Sequence, residues 1–496
     1  MGRLTLEEGR TFFAFLLLVP VFFAALFLSG CGEELGAGLG AGEAATVDGT
    51  DPSGATPSSR DRAPGAADEA APSPVQGPVP AAGSLSGGLP PAPPQEPVAV
   101  RTGAAEGGWA RPDAVRGLYL NAWVSGSSRR IDELVGIARR TEINTFVIDV
   151  KDATGYVSYS TEVAFAREVG ADGQLRIRNI QGLLERLQEE GIHPIARIVV
   201  FKDHLLAGSR PEHAVQDSTG AAWVDGNGEV WVNPFDREVW AYNVALAREA
   251  VELGFREIQW DYVRFPDRPR SEMEGVIYPG QEGRTRSQAI REFLLWSRAE
   301  LADLGVPVTA DVFGVSASAR NDVGIGQLWE DMIDTVDMIL PMIYPSHYWR
   351  GSFGIDAPNA HPYEVIGAAL DHAIRRTEGV ENPARILPWL QDFTLGEPRY
   401  GAAEVRAQIL ATHDAGIQEW ILWNASGRYT EEALEPVGGW PGGEEPPIRI
   451  AGVVRPAAER FAVDESVPAD ESVRLRETPG QNRPQDGHEP QDPQDR

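Results

Sequence analysis

Two aspartates stand where a chain could do acid–base work. Asp261, in "EIQWDYVRFPD", and Asp311, in "VTADVFG", each close a short run of β-branched and aromatic residues. If the two runs are neighbouring parallel strands, both carboxylates reach the same end of the sheet, within several ångströms of each other. Glycoside hydrolysis needs such a pair: one carboxylate attacks the anomeric carbon or activates water, and the other protonates the leaving oxygen. A lone strand-end aspartate is more often a cap or a salt-bridge partner. Two on adjacent strands give the pattern its weight, with Asp149 and Asp152 in reserve for the second carboxyl role.

Cations near them are few. Arg264 follows Asp261 by three residues and could keep a neighbouring carboxylate ionised. Arg197 and Lys151 could do the same from adjacent strands. Lys151 and Lys202 are the only lysines of the chain, and each stands in a "KD" pair after an apolar run. Strand parity sends Lys151 to the inner face above Asp149, which reads as its partner, while Lys202 lies just past its strand. Both are expected to line the site, with Lys151 helping to set charge around the carboxylates.

The elements that must position these groups recur regularly. β-rich runs at 115–123, 145–152, 193–201, 256–263, 306–314, 337–344, 385–393 and 419–425 alternate with amphipathic stretches such as "NIQGLLERLQEEG" and "DREVWAYNVALAREAVELG". This predicts an α/β fold, a (β/α)8 TIM barrel over 113–440, with an open doubly wound sheet as the structural rival. One parity is apolar: Ile148 and Val150, Ala196 and Ile198, Ile258 and Trp260, Ile339 and Ile343, Ile421 and Trp423. It suits burial under helices. The other turns polar at the strand ends, with Asn121, Asp149, Lys151, Arg197, Gln259, Asp261, Asp311, Tyr344, Gln391 and Asn424, and should point into the barrel mouth.

Aromatic residues supply a second argument. "AAWVDGNGEVWVNPFD" reads as a β-hairpin inserted between the third strand and its helix, presenting Trp223 and Trp231. Trp123, Tyr262, Tyr344, His347, Tyr348 and Trp349 gather at other strand ends. Flat faces beside polar edges suit sugar rings. Trp260 and Trp423, on the helix-facing parity, read as core. His347 could donate to a substrate hydroxyl, although a lone histidine is more often structural.

The stretches "EIQWDYVRFP", "WVNPFD", "ADVFG" and "LPMIYPSHYWRGSFG" with "PYEVI" resemble the bacterial "putative glycosyl hydrolase" domain family, itself related to α-amylase-like barrel hydrolases. The resemblance spans about residues 115–430. It implies a (β/α)8 fold and glycosidase chemistry, and by analogy places the nucleophile at Asp261. Amylase-like enzymes usually carry glutamate as acid/base after the fifth strand, where this chain has the shorter Asp311. The other reading open to the residues is a catalytically silent barrel that binds envelope glycan.

The rest of the chain bounds the setting. Residues 1–30 hold an apolar run after Arg3 and Arg10 that ends in "LSGC", similar to a lipoprotein signal, with lipid expected on Cys31; a retained membrane helix is the alternative. Residues 31–112 are Gly-, Ala-, Pro- and Ser-rich and read as a disordered tether, and 441–496 as a disordered tail in which "IRIAGVVRP" could add one strand. Export to a bacterial cell envelope, a membrane contact through Cys31 and a polysaccharide substrate are the expectations. With one cysteine, no internal disulfide or zinc–thiolate site is possible. The eight histidines are scattered with no H-E-x-x-H, no Gly-rich phosphate cradle follows a strand, and no cofactor is expected. A net charge of −29 without a basic run argues against nucleic acid.

Overall fold

In the computed structural model, residues 110–443, 445–450 and 453–455 are described. The signal segment, Cys31 and nearly all of the tether and tail lie outside them. Nine short strands form the sheet: β1 (Arg116–Leu120), β2 (Thr145–Lys151), β3 (His193–Val199), β4 (Glu257–Asp261), β5 (Val308–Phe313), β6 (Met338–Ile343), β7 (Arg385–Ile386), β8 (Trp389–Gln391) and β9 (Trp420–Trp423). Each pairs in parallel with its neighbour, and the β5–β6 and β1–β9 pairings close the ring. β7 and β8 both pair with β6 and make one stave, interrupted at Leu387 and Pro388, where proline supplies no N–H to the ladder. Eight staves therefore make the expected barrel, closed rather than an open doubly wound sheet.

Helices follow the staves at Ser128–Arg140, Ile180–Glu189, Arg237–Leu253, Arg286–Glu300, Trp329–Met332, Pro362–Thr377 and Ala402–Asp414. Local chemistry sets their ends. Thr285 and Gln288 form a reciprocal capping box at the start of Arg286–Glu300. Gly254, at φ +124°, ends Arg237–Leu253 in a conformation that side-chain-bearing residues avoid. The inserted hairpin forms as isolated antiparallel bridges, Val224 opposite Val230 and Ala214 opposite Val232, around a turn at Asp225–Gly228. In the tail, Ile448–Ile450 and Val453–Arg455 pair as a two-stranded antiparallel hairpin, where the sequence suggested a single strand.

Two cores result. Between strands and helices lie Ile148, Val150, Ala196, Ile198, Ile258, Trp260, Ala310, Ile339 and Ile343. Inside the barrel lie Tyr119, Val147, Ile195, Leu340, Tyr344, Trp389 and Ile421, with Trp423 packed against them. Ile421 and Trp423 thus face inward, contrary to expectation. Phasing the last strand from polar Asn424 misled the parity, because the strand ends at Trp423 and Asn424 already belongs to the loop.

The barrel floor, at the N-terminal ends of the strands, is closed by ions. Arg111 donates from Nε to Glu257 (2.9 Å) and from Nη1 to Glu419 (2.8 Å). Burial pushes the Glu257 carboxyl up, but the charges and hydrogen bonds of Arg111 and His193 together outweigh it and hold the carboxyl below its usual range.

Candidate active site

At the opposite, C-terminal end, one guanidinium meets two carboxylates, and a third, Asp311, stands near them without touching it. Arg197 on β3 donates from Nε and Nη2 to Asp261 Oδ2 (2.9 and 2.5 Å) and from Nη1 to Asp149 Oδ1 (2.6 Å). The register places it there, because Asp149 and Gln259 flank it on β2 and β4. The second oxygen of Asp149 accepts from the Tyr119 hydroxyl at 2.6 Å. The second oxygen of Asp261 accepts from the backbone N–H of Tyr262 at 2.5 Å. Tyr262 takes a left-handed φ of +50° directly after Asp261. Such a conformation costs about 1–3 kcal/mol for a residue other than glycine and concentrates at functional sites.

Asp311 on β5 differs. Its Oδ1 accepts from the Trp389 indole N–H at 2.6 Å, and its Oδ2 is buried with no hydrogen-bond partner. Burial and then the Asp261 charge push its carboxyl well above the usual range, against the opposing pull of Arg197 and Trp389. Asp149 is also pushed up, mainly by burial, while Arg197 and Tyr119 moderate the shift. Burial disfavours the Arg197 cation, yet Asp261 and Asp149 hold it well above its usual value. One cation cannot neutralise three anions in a water-poor site. Asp311, the carboxylate without a cation on it, is where the extra proton belongs.

Aromatic rings wall this centre. Trp423 stacks on Tyr119 with centroids 3.9 Å apart, Trp389 stands edge-on to Trp423 at 5.6 Å, and Arg197 lies 5.2 Å from the Trp423 centroid. Burial, then the charges of Asp311 and Asp261, raise the Tyr344 phenol well above its usual value, so it stays a donor beside them. Tyr119, Trp389 and Trp423 were not among the expected site residues. A signal existed for two of them: Tyr119 and Trp389 lie two positions before Asn121 and Gln391, on the same strand faces. Polar side chains are the conspicuous ones at strand ends, whereas the barrel interior is filled by aromatic ones.

Several expected site residues lie elsewhere. Lys151 does not face the carboxylates or Asp149. β2 bulges between Asp149 and Lys151, so Lys151 pairs opposite Ile198, whose side chain faces the helices. Its ammonium is enclosed, 2.7 Å from Asp203 Oδ2 and 4.8 Å from the Tyr242 ring. Asp203 also caps the next helix through Leu206 N, so the lysine of the first "KD" pair and the aspartate of the second hold the frame together. Gly155 makes room for the carboxylate, since a Cβ there would lie 2.2 Å from Asp203 Oδ1. Gln391 is used up structurally: its Oε1 accepts from Ser346 N and Oγ, and its Nε2 donates to Phe393 O. Asn424 likewise accepts from Ser426 and donates to the Asp392 carbonyl.

Others ring the mouth. Lys202 lies 3.3 Å from Glu229 on the inserted hairpin and 5.3 Å from the Tyr262 ring. Trp231 packs near Tyr262, at 6.0 Å between centroids, and Arg264 lies against both rings. Gln259 sits deep in the interior, its amide without a hydrogen-bond partner. Burial lowers His347 to about 4, so its imidazole is neutral near neutral pH, packed on Tyr344. Trp123 is 55 % exposed on the rim, with the Arg176 guanidinium 5.4 Å from its ring. Among the described residues, no group of three or more His, Cys, Asp and Glu side chains is arranged to hold a metal ion.

Residues 117–429 match the family model described as "putative glycosyl hydrolase domain". The chain belongs to this family. Membership makes the barrel a glycoside hydrolase domain of that putative class. Among solved structures, a hypothetical protein from Ruminiclostridium thermocellum is 38% identical, over 39% of this chain and 97% of that one, with a TM-score of 0.36. The PgaB (BpsB) glycoside hydrolase domain from Bordetella bronchiseptica is 12% identical over 64% and 95%, with a TM-score of 0.48. An alpha-galactosidase from Thermus thermophilus is 15% identical over 70% and 66%, with a TM-score of 0.40. No curated protein sequence matches the chain.

Proposed function

We propose that the barrel cleaves glycosidic bonds of an extracellular or cell-envelope polysaccharide by a two-carboxylate mechanism, with Asp311 as general acid and Asp261 as nucleophile or base. The observation that carries this reading is the contrast between the two aspartates: Asp261 accepts hydrogen bonds on both oxygens, from Arg197 and Tyr262, while Asp311 meets no cation and keeps one oxygen unpartnered. The Asp311 proton passes to the glycosidic oxygen as the bond to the anomeric carbon breaks. Asp261 supplies the electron pair at that carbon, directly or through a water it deprotonates. Tyr344 and the stacked pair Tyr119–Trp423 offer a donor and flat faces to the sugar.

Reducing-sugar release from a panel of α- and β-linked polysaccharides and peptidoglycan tests the reading, and the anomer first formed, read by proton NMR, separates direct attack from attack by water. Glycan binding with no release from any member would instead favour the silent binding barrel. The rate should fall as pH rises through the raised Asp311 value. Asp311→Asn should lose that limb and roughly 10²–10⁴-fold of the rate.

The same substitution should stabilise the fold. A buried carboxyl with a raised value contributes most when protonated, and stability drains away as pH rises from the ordinary carboxylate range to the raised value. Asp311→Asn should therefore match the parent below about pH 3 and melt higher near neutrality, by roughly 2–4 °C for each kcal/mol relieved. Thermal melts across pH would show an equal or lower Tm at neutrality if the proton is not on Asp311.

The lipoprotein-like start adds a location: lipid on Cys31 would hold the enzyme at a bacterial membrane. Cys31→Ser should then move the chain from the membrane to the soluble fraction, and an unchanged distribution would remove the anchor.

A further inference from the structure

Among the described buried arginines, Arg264 is the exception. Arg111, Arg176, Arg197 and Arg406 each reach at least one carboxylate. Arg264 is only 5 % exposed, yet no ion pair joins it to a carboxylate among the described residues. Its side chain makes one hydrogen bond, from Nη1 to the Phe265 carbonyl at 3.1 Å. Three aromatic rings enclose the guanidinium instead: Trp231 at 4.8 Å, Tyr262 at 4.9 Å and Phe313 at 4.7 Å. Burial lowers its value to about 10, only partly offset by the more distant charges of Asp267 and Asp261.

The location gives this deficit meaning. Trp231 belongs to the insertion after β3, Tyr262 follows Asp261, and Phe313 ends β5, so the cage stands at the mouth end of β4 and β5, the strands that carry Asp261 and Asp311. A second cation, Lys202, lies 5.3 Å from the same Tyr262 ring, its charge balanced by Glu229 at 3.3 Å. In a chain of net charge −29, this is a place built to favour an anion. Rings that cover a guanidinium leave its N–H edge as the approach, and a planar carboxylate matches that edge with two parallel hydrogen bonds.

We propose that Arg264 is the anion contact of a subsite for a carboxylate-bearing sugar, so that the substrate is an acidic glycan containing uronic acid. This rests on the glycosidase reading of the mouth. Binding can nevertheless be tested apart from turnover, with full-length Asp261→Asn and isothermal titration calorimetry as the readout.

The probes are oligogalacturonate and oligoglucuronate, each beside its carboxyl-reduced neutral counterpart, and a sulfated neutral oligosaccharide. At least one acidic oligomer should bind about 10- to 100-fold more tightly than its reduced form, the range expected for hydrogen bonds to a charged group. Arg264→Met should abolish that ratio, and Arg264→Lys, which keeps charge but not the planar fork, should retain part of it. Equal affinity for acidic and reduced forms, or no binding of either acid, overturns the proposal whether or not the variants fold. So does a preference that survives Arg264→Met, or tighter binding of the sulfated probe. Acidic oligomers that bind tightly but are never cleaved by the unsubstituted chain would sink the hydrolase reading and leave the subsite standing. Cleavage of neutral glycans alone would do the reverse.

Discussion

Asp261→Asn should lower glycan cleavage by roughly 10⁴-fold or more while leaving the barrel folded. The change keeps shape and removes only the charge that must meet the anomeric carbon or accept a proton from water. Arg197 retains Asp149 as a partner, so no buried guanidinium is stranded. One amide group does face a donor. If the asparagine oxygen keeps Arg197, its NH2 meets the Tyr262 N–H, a mismatch of about 1–3 kcal/mol that a barrel of this size can absorb. Circular dichroism and a melt would show the fold intact. A folded variant keeping more than a few per cent of the parent rate would remove Asp261 from the chemistry.

Arg197→Met should do the opposite, damaging the fold as much as the activity. Arg197 is the hub through which Asp149 and Asp261 are neutralised, and its removal leaves both carboxylates buried without a cation. Breaking a buried ion pair on one side costs about 3–5 kcal/mol, enough to lower Tm by roughly 10 °C or more. The pH dependence carries a signature that a simple packing defect would lack. Arg197 holds the Asp149 carboxyl down against burial, so without the guanidinium that carboxyl shifts further upward in the folded state, and its contribution is present at low pH and lost as pH rises. The deficit against the parent should therefore shrink on acidification. A deficit independent of pH would mean that Arg197 acts mainly by filling space.

The staves, their order and the inserted hairpin were legible because each announces itself locally, through β-branched runs, helix caps and a "DGNG" turn. Asp261, Asp311 and Arg197 were legible because a polar residue at a strand end is conspicuous. What escaped depends on contacts distant in sequence. A one-residue bulge carried Lys151 to the other side of the sheet, and no composition rule announces a bulge. Trp423 escaped because the polar Asn424 beside it, already in the loop, suggests the opposite phase for the strand. Trp389 and Tyr119 passed as ordinary strand residues, though in a barrel this narrow the inner face is lined by large rings. Arg111, taken for the end of a tether, proved to close the floor through Glu257 and Glu419, residues far along the chain.

That floor has a mechanical consequence. The chain enters the barrel at Arg111, at the pole opposite the mouth, and the first groups it meets are ion pairs to Glu257 on β4 and Glu419 just before β9, with a hydrogen bond to Met338 Sδ on β6. A pull on the segment before residue 110 would load this knot first and spread across three staves, rather than peel β1 from its neighbours. Tension along the polypeptide would be taken up at the base, and the geometry around Asp261 and Asp311 would be insulated from it.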